Sequence, residues 1–329
     1  MNRHRLFYLL TLIVLLAACN LPGAGTQTSV PDATLTPLGT KENPVILATS
    51  PGASSEAVAS AEQIAARLSS LTGLVIVTAP AESYTNLIES LGDGTVHIAS
   101  LPPLAYLLAH EKGYADVALG TLVAGQERVA SQFMVSAARL VGEKGFKVYF
   151  DPDTGANMVE VATALAQFKD KKPCWTDAYS TAGYVLPLEI LTDNRVPTKT
   201  GAFLQGEATV VKTLYRDTEG ALCDFGVTSA DSRLAVVADY PDVNQKVVIV
   251  WRTDPVIPFD GIAYAESLPD DLRIRITAGF LAIAASEDGL ATLRSAYQID
   301  GLKLIDDTFY DDLRKYIQSS GLELPSFIR

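Results

Sequence analysis

The sequence predicts a two-lobed α/β protein whose chain crosses twice between the lobes. Three observations predict it. From residue 43 onward, short apolar runs of strand length alternate with longer runs whose apolar residues recur at helical spacing. After an extended stretch at 131–139 a second such cycle begins. The length, 329 residues, exceeds what one ordinary core fills.

The elements follow in order. "NPVILATS" (43–50) reads as a strand ending in a small polar loop. From Ser54 to Leu71 the residues Val58, Ala61, Ile64, Ala65 and Leu68 keep helical spacing, and Gly73 ends the run. "LVIVTA" (74–79) is a second strand, Tyr84–Leu91 a helix, "VHIASL" (96–101) a third strand, and Ala105–His110 starts another helix. Strand, helix, strand, helix, strand implies a parallel sheet covered on both faces. In the second cycle "SQFMVSAAR" (131–139) is extended, and "FKVYF" (146–150) and "ALAQF" (164–168) precede a short strand at Pro173-Cys174-Trp175. A helix starting at Ser180, a helix around Ala208–Tyr215, and the strands "LCDFGVT" (222–228) and "KVVIVWRT" (246–253) follow. Beyond "DGIAYAESL" (260–268) the tail from Asp270 to Ser320 reads as mostly helical. This accounting places 44–133 and 262–329 in lobe one and 134–261 in lobe two. Ligands of open α/β sheets sit at the carboxyl ends of the strands, so the expected pocket is the cleft between the lobes.

The first nineteen residues read as a targeting segment. Arg3 and Arg5 precede an apolar stretch from Leu6 to Leu16, too short to span a bilayer comfortably. Leu16-Ala17-Ala18-Cys19 then has the form of a bacterial lipobox, which would lipidate Cys19; a plain signal peptide with an incidental Cys is the alternative. Residues 20–43, rich in Pro, Thr and Gly without a hydrophobic period, read as a flexible tether. Together they predict a body held at the outer face of a bacterial cell membrane. Cys174 and Cys223 remain in an oxidising compartment, either bridged or as two buried thiols.

Charge and residue types narrow the function. The net charge is −12, and −14 once Arg3 and Arg5 are removed, with no basic cluster to follow a nucleic-acid backbone. Beyond the leader only His97 and His110 remain; His97 alternates within a strand as a structural histidine would, and His110-Glu111-Lys112 lacks the second His of a helical zinc site. Asp151/Asp153 and Asp306/Asp307 read as solvated turns. No nucleophile elbow, phosphate loop or dinucleotide fingerprint follows a strand. A binding protein is favoured over an enzyme, with no metal or cofactor expected.

A binder needs less chemistry. In "DAYSTAGYVLPLEIL" (177–191) the small, hydroxylated turn Tyr179-Ser180-Thr181-Ala182-Gly183 opens a helix. A helix start carries unpaired N–H groups and partial positive charge, either for its own cap or for an anion. Ser50, with Thr49, and Ser100 end strands in lobe one and could face it.

Taken together these segments resemble a family, the PhnD-like substrate-binding proteins of phosphate, phosphite and phosphonate ABC transporters. The resemblance covers about residues 44–310 and is carried by "AESYTNLIESLGDGTVHIASLPPLAYLLAHEKG" (81–113), "ALAQFKDKKPCWTDAYSTAGYVLPLEIL" (164–191), "GALCDFGVTS" (220–229) and "WRTDPVIPFDGIAYAESLPDDLR" (251–273). It implies the type 2 periplasmic-binding-protein fold, a small oxyanion ligand, a membrane permease as partner and a monomer. The family's Ser-Thr-Ser-Gly turn, which holds the oxyanion, here reads Ser180-Thr181-Ala182-Gly183, and Tyr84 takes the place of a tyrosine that lines the family's cleft. Asp231 stands near an acid that contacts a ligand's amine in some members, or is a solvated loop residue; Asp260 is in a similar position, and Asp224 is weighed beside them. The chain departs from the family at His97, at Pro102-Pro103 and at Gly206-Glu207-Ala208, where a Ser-His-Asp start is common, and residues 142–163 are longer than usual. The resemblance leaves a sulfonate or heterocycle ligand, or a sensor feeding a membrane kinase, as alternatives.

Overall fold

A computed structural model describes residues 36–142, 145–178, 180–320 and 323–327. The expected signal segment, Cys19, residues 20–35 of the expected tether and Tyr179 lie outside the described residues. The compact unit begins at Leu38. Residues 38–43, read as the end of the tether, form a turn that belongs to this unit. Gly39 takes φ 87°, its N–H donates to the Asn43 carbonyl (2.7 Å) and its own carbonyl accepts from Val75 N–H (2.7 Å). A Cβ there would come within 2.6 Å of Leu74, so only glycine lets the chain approach so closely.

The chain opens with β1 (Val45–Thr49), α1 (Ser55–Thr72), β2 (Ile76–Pro80), α2 (Tyr84–Gly92), β3 (Ile98–Leu101), α3 (Pro103–Glu111) and β4 (Ala115–Leu122). The Ser54 hydroxyl accepts from Ala57 N–H (3.2 Å) at the start of α1, and Gly73 at φ 69° closes it. Ser83 caps α2 in the same way through Asn86 N–H (3.1 Å). The first crossing holds β5 (Arg128–Val129) and leads to β6 (Ser131–Ser136). Then come the hairpin β7 (Phe150–Asp151) and β8 (Ala156–Asn157), α4 (Val161–Leu165), β9 (Pro173–Trp175), α5 (Leu186–Asp193), β10 (Ala202–Phe203), α6 (Glu207–Arg216), β11 (Phe225–Ser229), α7 (Val243–Lys246) and β12 (Val247–Arg252). The second crossing carries β13 (Ile257–Pro258) into β14 (Gly261–Ala265), followed by α8 (Asp270–Ala284), α9 (Glu287–Tyr297), β15 (Gly301–Leu304) and α10 (Asp311–Ser320).

Two large sheets result, ordered β15-β4-β14-β3-β1-β2 and β10-β9-β11-β6-β12, beside the two-stranded pairs β13-β5 and β7-β8. The parallel arrangement expected of the first three strands is found, in a sheet that is mixed as a whole. β1, β2 and β3 are parallel, but β14 runs antiparallel to β3 and β4, and β15 antiparallel to β4. The crossings explain this. β14 enters the first sheet from the second crossing, at the edge where β3 and β4 finish, so it can only run back against them. In the second sheet β6 enters where β9 and β11 finish and is antiparallel to β11 for the same reason. The crossings pair with each other through β5 and β13, so the carboxyl ends of the parallel strands in both sheets lie at the crossing side.

Each sheet is covered on both faces. The first buries Leu87, Leu91, Leu104 and Leu313 on one face and Ile64, Leu68, Ile276 and Phe280 on the other. The second buries Phe168, Leu186 and Ile190 on one face and Val210, Leu214 and Val243 on the other. A side chain such as Leu68, 0% exposed, contributes about 1.5–3 kcal/mol by leaving water. Cys174 of β9 and Cys223, just before β11, are joined by a disulfide with Cα atoms 5.6 Å apart.

Candidate ligand site

The structure brings several of the candidate residues together at the crossing-side edge of the first sheet. Ser50 follows the end of β1, and Tyr84 stands at the start of α2, after β2. Their side chains hydrogen-bond to each other, and the Asp260 carboxyl lies close enough to act on the Tyr84 hydroxyl. Burial first, then the charge of Asp260, pushes the Tyr84 hydroxyl well above the usual phenol range, against the opposing Ser50 hydrogen bond. Asp260 stands where the second crossing enters β14, its backbone carbonyl taking both the N–H (3.0 Å) and the hydroxyl (2.8 Å) of Thr121. Burial pushes its carboxyl up to about 6, and no ion pair joins it to a cation among the described residues. Ser100 is buried in β3, paired with Ile262 of β14, two residues along from Asp260.

Tyr310 belongs to this group and was not among the sequence candidates. Its ring is fully buried against Tyr106, with centroids 4.4 Å apart, and its hydroxyl has no hydrogen-bond partner among the described residues. Burial, then the charges of Asp260 and Asp307, push its hydroxyl well above the usual phenol range. A Cβ on Gly261 would stand 2.5 Å from that hydroxyl, so the glycine makes room for it. No local pattern around "DTFYDD" signals this; only the return of the chain to the first sheet places Tyr310 there.

The second sheet presents the Ser180 turn. β9 ends at Trp175, and the chain turns through Ser180 into a wide π-helical turn, Thr181–Val185, continued by α5. The Ser180 hydroxyl accepts from Gly183 N–H (2.9 Å), and its carbonyl accepts from Tyr184 (3.1 Å) and Val185 (3.0 Å). The N–H groups of Thr181 and Ala182 have no acceptor among the described residues, and the Ser180 hydroxyl keeps its own proton to donate. The turn is tightly seated. A Cβ on Gly183 would fall 2.0 Å from the Thr176 hydroxyl, and the Tyr184 ring meets Trp175 edge-on at 5.4 Å. Val185 is buried in the same cluster as Leu101 of β3 and Leu104 of α3, and Tyr84 and Tyr184 both pack against that cluster. The turn therefore sits beside the first sheet's edge.

Other candidates are placed elsewhere. Asp231 caps a short 3-10 turn after β11, bonded to the Arg233 guanidinium (2.7 Å) and to Gln132 Nε2 (3.2 Å). Burial raises its carboxyl, but the Arg233 and Gln132 bonds outweigh that and leave it below the usual carboxylate range. Gln132 is held in turn by Arg252 Nη2 (3.0 Å). Asp224 is paired with Arg139 and accepts from Lys172 N–H (2.8 Å), so it ties loops together. At the start of α6, Glu207 accepts from Ser229 N–H (2.9 Å) and so fills the position of the missing Ser-His-Asp with a carboxylate. Pro102 caps α3 without a side-chain bond. His97 accepts from Ile46 N–H through Nδ1 (3.0 Å), and burial lowers its basicity, as expected of a structural histidine. Among the described residues no group of His, Cys, Asp and Glu is arranged to hold a metal ion.

Residues 47–310 match the family described as ABC transporter, phosphonate, periplasmic substrate-binding protein. The chain belongs to that family. Its members are transport proteins that deliver a small molecule to a membrane permease from outside the cytoplasm, and they are not enzymes. Solved structures agree on the fold. XAC2383 from Xanthomonas citri, bound to ATP, superposes with a TM-score of 0.64 at 17% identity, covering 87% of this chain and 99% of its own. A binding-protein component of an ABC phosphonate transporter from Pseudomonas aeruginosa gives 0.55 at 16% identity, with 85% of each chain covered. PhnD1 from Prochlorococcus marinus, in complex with methylphosphonate, gives 0.56 at 12% identity over 83% of this chain and 97% of its own. No curated protein matches the sequence.

Proposed function

We propose that this protein is an extracytoplasmic lipoprotein that binds a small phosphorus oxyanion, a phosphonate, phosphite or phosphate, in a cleft between two lobes built on the two sheets. The Ser180 turn carries the reading. Two N–H groups without acceptors among the described residues and a hydroxyl proton stand where a helix begins, a donor set suited to an oxyanion. Such local donors overcome the protein's net negative field inside a closed, dry site.

Asp260 refines the choice among oxyanions. A carboxylate beside the Tyr84 and Tyr310 hydroxyls, without a cationic partner among the described residues, repels a plain anion and attracts an ammonium group. An aminoalkylphosphonate, anionic at one end and cationic at the other, satisfies both edges. Closure of the lobes on the ligand would populate the form that the permease recognises. At the other end of the chain, lipidation of Cys19 would anchor the protein, and labelled fatty acid should enter the wild type but not Cys19→Ser.

Calorimetric titration of the full-length protein with phosphate, phosphite, methylphosphonate, 2-aminoethylphosphonate, sulfate and taurine tests the reading. The phosphorus compounds should bind, 2-aminoethylphosphonate tightest. Ser180→Ala with Thr181→Val should weaken that binding by about 10–100-fold, the equivalent of one charge-assisted hydrogen bond. Unchanged affinity in the double variant, or binding of taurine and sulfate alone, would contradict it.

A further inference from the structure

Helix α10 touches both sheet layers at one seam. Leu313 and Ile317, 1% and 7% exposed, are members of a core cluster of the first sheet, whereas Tyr316 packs against the second sheet's cluster. Facing them is the helix that starts at the Ser180 turn. Its Val185 is buried with the first sheet's residues and its next residue, Leu186, with the second's. Thr181, Leu186 and Glu189 on one side and Leu313, Tyr316 and Ile317 on the other close up to a partly open gap of about 10 Å³, room for one water at most. The start of α10 is tied to the first crossing as well. Arg128 of β5 pairs with Asp312 (3.1 Å), donates to the Phe309 carbonyl (2.7 Å) and lies over the Phe309 ring at 4.5 Å.

The seam contains a carboxyl that fits it poorly. Glu189 is 5% exposed, and the charged group that acts on it is another acid, Asp193. Asp312 and Lys315 on α10 line a groove with Asp193 and Tyr316, and Asp254 of the second crossing faces Tyr316 from the other side. Lys315 is paired with Asp312 (3.4 Å), so the seam keeps an excess of negative charge.

We propose that α10 is a strap that holds the Ser180 turn and α5 against the first sheet, and that the charge on Glu189 loosens it. Any shift of the turn relative to the first sheet must slide or break this contact. The strap therefore sets how freely the anion-binding turn moves, whatever ligand it takes. Burial first, and Asp193 second, push the Glu189 carboxyl up to about 7 from its ordinary 4.5. An acid raised in the docked state favours docking when protonated. The strap is accordingly tightest below about pH 4.5, weakens as pH climbs, and is loosest above about 7.

Amide hydrogen exchange in the full-length, ligand-free protein tests this without reference to any ligand, so its failure and that of the binding proposal are distinguishable. Tyr316→Ala should speed exchange across residues 181–193 at least about tenfold, a local opening, while β1 and β3 stay protected. Glu189→Gln, which keeps the shape and removes the charge, should slow exchange of the same amides at pH 8 and leave them unchanged at pH 4.5. It also carries the test if Tyr316→Ala does not fold. Faster exchange confined to α10 in Tyr316→Ala would overturn the strap. A Glu189→Gln protein that exchanges as fast as wild type at pH 8, or faster, would overturn the role of its charge.

Discussion

Replacing Asp260 by Asn should stabilise the ligand-free protein at neutral pH, although it removes a residue proposed to bind ligand. Burial lifts this carboxyl from 3.8 to about 6, so ionising it in the folded state costs free energy that the unfolded chain does not bear. Two pKa units at about 1.4 kcal/mol each give a ceiling of about 3 kcal/mol above pH 7. The acid is raised on folding, so this cost is absent below about pH 4, grows between 4 and 6, and is complete above that. Asn keeps the size and can accept from the Tyr84 or Tyr310 hydroxyl, both of which the Asp260 charge acts on. Scanning calorimetry of wild type and Asp260→Asn without ligand should show the variant melting several degrees higher at pH 7.5, with the gap closing at pH 4. A gap of the same size at both values, or a variant that melts lower at pH 7.5, would refute the reasoning.

Further predictions concern the site and its supports. The preference for 2-aminoethylphosphonate over methylphosphonate, measured by titration, should fall as pH drops through about 6, where Asp260 takes up its proton. Gly183→Ala would push a methyl group against the Thr176 hydroxyl and should abolish phosphonate binding in a protein whose melting temperature drops only moderately. Replacing Cys174 and Cys223 together by Ser releases a link spanning 49 residues and should cost about 2–5 kcal/mol in urea unfolding. Phe168→Ala removes a fully buried ring packed against Phe133 and Phe225 (5.1 and 4.5 Å) and should cost about 3–5 kcal/mol in the same assay.

The local elements were legible because their signals are local. Ser54 and Gly73 bracket α1, the Val45–Thr49 run is β1, and Ser180 starts a helix, as spacing and capping chemistry require. β4 was missed, although all its residues lie in a sheet, because Asp116 and Gly120 interrupt the apolar pattern of Ala115–Leu122. β15, four residues long and half exposed, is hidden in a tail whose longer stretches are helical. The parallel run of β1, β2 and β3 was legible, whereas the reversed direction of β14, β15 and β6 was not, because it depends on where the chain re-enters each sheet. The site divides in the same way. The Ser180 turn is contiguous and visible, and Ser50 and Tyr84 follow strand ends. The Asp260–Tyr310 pair depends on two segments fifty residues apart returning to one edge. Asp231 is half of each kind: Arg233 stands two residues away, but Gln132 and the Arg252 that holds it reach Asp231 only through the fold.

The central claim is that the Ser180 turn holds the oxyanion, and the amide resonances of Thr181 and Ala182 report on it most directly. Titrating isotope-labelled full-length protein with methylphosphonate, followed by amide-detected NMR, should move both resonances downfield along one saturable curve. Those N–H groups would then have gained a charged acceptor. Saturable binding that leaves Thr181 and Ala182 unmoved while other amides shift would place the anion elsewhere and contradict the account.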